Sequence, residues 1–151
     1  FIQAEHASRV GLIQTLGIGM ESFAFEAESV AVAHPDGDCH LVGFADRGFN
    51  TKTYLMLQRA MEFDEQDVSL GMDTYHVEWC GQEYSGYGGI SQFLLNRGSA
   101  EIAFAPDVAA ALGGMGRLTI SFHLTPSEHL ALREALGHIF GGSSCLVVAD
   151  A

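Results

Sequence analysis

The chain has 151 residues, 48% of them hydrophobic and 17% charged, and a formal net charge of −12 from 19 acidic and 7 basic side chains. That length suits one domain able to bury roughly 68–70% of its unfolded surface, and the composition is that of a globular chain, not a disordered one. Scattered Lys and Arg cannot neutralise a run of phosphates, and an anionic membrane surface repels the chain, so neither nucleic acid nor membrane is an expected partner.

The first nineteen residues read as an N-terminal extension or leader, and residues 20–151 as a single domain with Met20 as its natural start. Their apolar patch, Val10 to Ile18, is broken by Gln14 and Thr15 and carries one basic residue, Arg9, which does not match a signal peptide. No stretch approaches the 18 or so unbroken apolar residues of a membrane span. Cys39, Cys80 and Cys145 form an odd set with no Cys-x-x-Cys spacing, which reads as reduced thiols and a cytoplasmic location.

From Ser22 onward strand patterns dominate. Phe23, Phe25 and Ala27 alternate with polar residues, Val30 and Val32 continue the pattern, and the turn His34-Pro35-Asp36-Gly37-Asp38 leads into Leu41 to Phe44 as a hairpin. A third strand is expected from Tyr54 to Arg59, then an acidic segment and a loop near Leu70-Gly71-Met72. Asp73 to Cys80 alternates, with Tyr75, Val77 and Trp79 on the inner face and Thr74, His76, Glu78 and Cys80 on the other. Tyr84 to Leu95 reads as a strand kinked at Gly86, Gly88 and Gly89, and Ala100 to Phe104 as its neighbour.

Two helices are expected. Pro106 to Leu112 has proline at its start and Gly113-Gly114 at its stop. Thr125-Pro126-Ser127-Glu128 is a capping box ahead of the apolar stripe Leu132, Leu136, Ile139 and Phe140. Between them Leu118, Ile120, Phe122 and Leu124 alternate as a strand with one wet face, and Cys145 to Val148 reads as a short edge strand. The expected fold is α+β: an antiparallel β-sheet of about six to eight strands with two helices packed on one side.

Between Ala60 and Arg97 lie Glu62, Asp64, Glu65, Asp67, Asp73, Glu78 and Glu83, with no Lys or Arg among them, interleaved with Phe63, Tyr75, Trp79, Tyr84 and Tyr87. A disordered acidic tail lacks such rings, so this pattern belongs on a rigid face that meets a basic partner. The expected partner-binding residues are those seven carboxylates with Tyr84 and Tyr87, which flank the glycine kink and are the rings expected at the surface. Two unit charges about 10 Å apart in water interact by roughly 0.4 kcal/mol, so the carboxylates steer encounter while aromatic anchors and desolvated pairs supply affinity.

Catalytic motifs fail one by one. No Gly-x-Ser-x-Gly, phosphate-cradling glycine loop or twelve-residue calcium loop is present, so neither a catalytic residue nor a cofactor is expected. His76, Glu78 and Cys80, at two-residue spacing on one strand face, leave a small metal-dependent hydrolase as the alternative reading. A self-associating module, a homodimer through the aromatic face, is the third.

The strings Leu57-Gln58-Arg59-Ala60, Asp64 to Tyr75 (with Gln66, Asp67, Leu70, Gly71, Asp73 and Tyr75) and Tyr87-Gly88-Gly89-Ile90 make this sequence similar to the immunity protein 10 family of bacterial polymorphic toxin systems. The resemblance runs from about Phe23 to Phe140, taking in Ala109 to Gly113 and the final capped helix; Phe1 to Gly19 and Cys145 to Ala151 lie outside it. It implies a cytosolic non-enzyme that binds and neutralises a cognate toxin, with nucleases, which carry basic clefts, among the candidate targets.

Overall fold

The structure, a computed structural model, describes residues 13–14, 21–33, 39–141 and 143–149. The expected Asp-Gly turn and nearly all of the expected leader lie outside those residues. The described chain builds a six-stranded sheet in the order β1-β2-β10-β9-β8-β11 and a five-stranded sheet in the order β3-β4-β5-β6-β7. The first contains β1 (Ile13–Gln14), β2 (Glu21–Glu26), β8 (Ile90–Leu95), β9 (Ser99–Phe104), β10 (Met115–Ser121) and β11 (Leu146–Val148). The second contains β3 (Ser29–Ala33), β4 (Cys39–Ala45), β5 (Tyr54–Ala60), β6 (His76–Trp79) and β7 (Ser85–Tyr87). Helices α1 (Glu65–Ser69), α2 (Pro106–Ala111) and α3 (Pro126–Ile139) complete the set.

The α+β class is as expected, and among the described residues there are more strands, divided between two sheets, and one helix more. Pairing is mostly antiparallel, but β10 runs parallel to β2 and β11 parallel to β8. Two segments that read as continuous strands each pass from one sheet to the other. The first turns between β2 and β3, where Ala27 is buried. The second turns at Gly88 and Gly89, whose φ values of +66° and +86° favour glycine. A Cβ on Gly89 would stand 2.5 Å from Val108 in α2, so only glycine lets this corner meet the helix.

One core lies between the inner faces. Phe44 of β4 meets Phe93 of β8 and Phe122 at ring separations of 6.4 and 5.9 Å, and Phe140 joins Phe93 to Tyr75. Trp79 sits 6.0 Å from both Phe23 and Phe25, so the alternation of β6 is realised as expected, with Tyr75, Val77 and Trp79 inside. Helix α3 lays Leu132, Leu136 and Ile139 onto β3, β4, β5 and β11, all three fully buried. Its capping box forms as the sequence implies: Thr125 Oγ1 accepts the Glu128 N–H at 3.2 Å, and Glu128 Oε1 accepts the Thr125 N–H at 2.8 Å. At the other end Arg59 Nη1 donates to the Ile139 carbonyl at 3.1 Å, which places a cation at the negative pole of the helix.

Candidate functional site

Strands β5, β6 and β7 turn a second face away from the core. Because Leu55, Leu57, Val77 and Trp79 point inward, Met56, Gln58, His76 and Glu78 point outward. The register sets Met56 opposite Glu78, Gln58 opposite His76, and His76 opposite Tyr87. Over this floor the β5–β6 connection folds back, carrying α1. Phe63, Asp67 and Met72 from that connection form a wall, and an open cleft of about 420 Å³ is left between wall and floor.

Helix α1 has a local cause. Asp64 Oδ1 accepts the Asp67 N–H at 2.8 Å, and Asp67 Oδ2 accepts the Asp64 N–H at 3.0 Å, a reciprocal box made by two aspartates. Glu65 and Asp67 lie in the first turn, where the helix dipole favours negative charge. The segment was expected to run into a loop. Sequence reading passes over this helix because it buries no residue and so has no apolar stripe; the Asp-x-x-Asp spacing is the signal that would find it.

The expected partner-binding residues fall into three groups. Glu62, Asp64 and Glu65 are exposed on and beside α1, Asp67 is half-buried and lines the cleft, and Asp73 is exposed before β6. Glu83 is exposed in the β6–β7 turn. Glu78 differs from all of these: it is 9% exposed on the cleft floor, and the Tyr54 hydroxyl donates to its Oε2. Burial and the neighbouring Glu78 carboxylate push the Tyr54 phenol well above its ordinary value, so it remains a donor.

Of the two rings expected at the surface, Tyr87 is there, 44% exposed, with its edge against His76 at 4.9 Å between centroids. Tyr84 is half-buried and rests on the core beside Gly113, past the end of α2, because the Gly89 corner brings that helix close to β7. The sequence reading also missed the apolar part of the region. Val68 and Leu70 are 57% and 61% exposed on α1 and its C-cap, and Met61 is exposed just after β5. Arg59, at the border of the acidic segment, is turned away: it serves the α3 carboxyl end and lies 5.3 Å from the Phe63 ring centre.

The metal-site alternative fails on backbone geometry. Cys80 has a left-handed φ of 58° that takes it off the strand face, and its thiol donates to the Tyr54 carbonyl at 3.6 Å. Burial pushes that thiol up to about 12. Among the described residues no group of three or more His, Cys, Asp or Glu side chains is placed to hold a metal ion. The three cysteines are free thiols, and no described helix is long and apolar enough to cross a membrane.

Fold and site together define an α+β domain whose distinctive surface is a shaped, acidic and partly apolar cleft with its overhanging cap. The family model for Immunity protein 10 matches residues 26–130, from the end of β2 into α3, and so includes the whole of the cleft. The chain belongs to the immunity protein 10 family. No curated protein and no solved structure matches it.

Proposed function

We propose that this protein neutralises a cognate toxin by stoichiometric occlusion, setting the α1 cap and the adjoining cleft against a basic surface of the toxin, and that it performs no chemistry itself. The family supports the immunity role. The observation that carries the choice of face is the exposure of Glu62, Asp64 and Glu65 beside Val68 and Leu70 on and around a helix that buries no residue. Charge of one sign draws an opposite surface in quickly, and apolar side chains within the same patch supply the desolvated contact that charge alone lacks. A basic cleft, such as that of a nuclease, suits this face. The residues 20–151 domain is the acting unit, in a reducing cytoplasm where its thiols stay free. Nucleic acid and membrane are not its partners, since the acidic surface repels both.

The test is association kinetics with the toxin encoded beside this protein. Reversing Glu62 and Glu65 to Lys, which leaves the Asp64–Asp67 box intact, slows association at low salt several-fold and flattens its dependence on ionic strength. Unchanged rates for a variant that retains the wild-type fold remove this face from the mechanism.

A further inference from the structure

We infer that the cleft between the β5–β7 floor and the α1 connection is a receptor for a single guanidinium side chain, an arginine of the protein partner, with Glu78 as its counter-charge. The inference rests on the reading of the chain as a partner-binding inhibitor, and it names the group that enters.

Glu78 carries the argument. A carboxylate this deeply buried is costly unless it is paired, yet the cleft around it is lined by neither Lys nor Arg. The Tyr54 hydroxyl donates to Oε2 and holds the carboxylate in place, leaving Oε1 as a further acceptor on a residue that lines the cleft. Asp67 adds a second carboxylate from the wall, and its hydrogen bond to the Asp64 N–H uses only Oδ2. A cation arriving here finds anions that are already positioned and half desolvated, the condition under which an ion pair contributes most.

The shape selects the cation. Tyr87 and His76 contribute rings from β7 and β6, and Met72 lines the wall with Phe63, one of whose neighbours is already the Arg59 guanidinium, 5.3 Å from its ring centre. A planar, weakly hydrated guanidinium stacks on rings and meets a carboxylate through two parallel N–H groups, whereas an ammonium holds its water and offers a point charge. The cleft volume of about 420 Å³ admits a long side chain with room for solvent. Anionic ligands are repelled, and an apolar side chain would leave Glu78 covered with the Tyr54 hydroxyl as its partner but no counter-charge.

The probe is N-acetyl-arginine methylamide, titrated into the isotopically labelled protein and followed by amide chemical shifts, with N-acetyl-citrulline methylamide as the neutral isostere. Expected are saturable shifts centred on Glu78, His76 and Tyr87 with the arginine compound, and binding roughly tenfold weaker or less with citrulline. Glu78→Gln retains an acceptor for Tyr54 and therefore the fold, and it removes the preference for arginine over citrulline. Tyr87→Ala, at an exposed position, weakens arginine binding several-fold without touching the carboxylates. Equal binding of the two compounds, or an unaltered titration in Glu78→Gln, overturns the inference. Against the neighbouring toxin, Glu78→Gln should bind about tenfold more weakly; toxin affinity equal to wild type also overturns it. Failure of the wild-type protein to neutralise that toxin, with arginine binding intact, defeats the proposed function and leaves the chemistry of the cleft standing.

Discussion

Helices α1 and α3 begin with the same device and are held by different forces. Each opens on a reciprocal capping box, Asp64 with Asp67 in one and Thr125 with Glu128 in the other. After that they part. Helix α3 runs 14 residues and buries Leu132, Ala135, Leu136 and Ile139, so its box trims the end of an element fixed by packing. Helix α1 runs 5 residues and buries none, far below the length at which a helix stands alone in water, so box and connection are what hold it. One belongs to the core. The other is a bracket outside it, and the same capping device therefore predicts little about a helix's share of stability.

Three measurements press on that difference. The largest effect is expected from truncating matched leucines. Leu136→Ala empties a fully buried position and should cost about 2–5 kcal/mol in chemical denaturation. Leu70→Ala, at a residue 61% exposed, should stay within about 0.5 kcal/mol of wild type. A comparable cost at both sites would place α1 in the cooperative unit and dissolve the contrast.

The caps come next. Thr125→Ala should lower global stability by about 1 kcal/mol. Asp64→Ala should leave the global transition nearly in place and instead abolish amide-exchange protection across residues 65–72, where Leu70 and Met72 donate back to Gln66 and Asp67. Protection surviving in that variant would mean that tertiary contacts, not the box, hold the bracket.

The smallest effect near neutral pH lies beside Glu78, at Tyr54, which donates to its carboxylate, and at Cys80, which donates to the Tyr54 carbonyl. Tyr54 and Cys80 are both raised above their ordinary values of 10.0 and 9.0, chiefly by burial. Their protonated forms thus contribute stability that is complete below those ordinary values. It is lost as pH rises, because the unfolded chain gives up its protons first. The melting temperature should be level near neutrality and fall progressively above about pH 9, the ordinary thiol value. Tyr54→Phe should reduce the slope above about pH 10, its ordinary phenol value, and leave the earlier, Cys80-linked part. A melting temperature that holds steady through this range would show that neither group is buried in solution.

What the sequence disclosed follows from how local each cause is. The capping box and stripe of α3 are contiguous, and the inward set Tyr75, Val77 and Trp79 is plain alternation, so both were readable. The glycine kink after Tyr84 was readable as a kink. Its role as a crossing between sheets was not, because strand partners are chosen by distant residues, here β6 for β7 and β9 for β8. The candidate site divides in the same way. Its carboxylates stand out in the sequence, but the cleft depends on where the β5–β6 connection folds, and Tyr84 was drawn inward by a helix more than twenty residues away in the chain. Cys80 left its strand face through one left-handed residue that alternation cannot foresee.

The position of α1 outside the core also bears on how such a protein can change over generations. Substitutions at Glu65, Gln66, Val68 or Ser69 alter no interior contact, so a lineage can revise this segment step by step without disturbing the core. Mutational freedom is concentrated outside the interior, while the scaffold stays under its own, separate constraint.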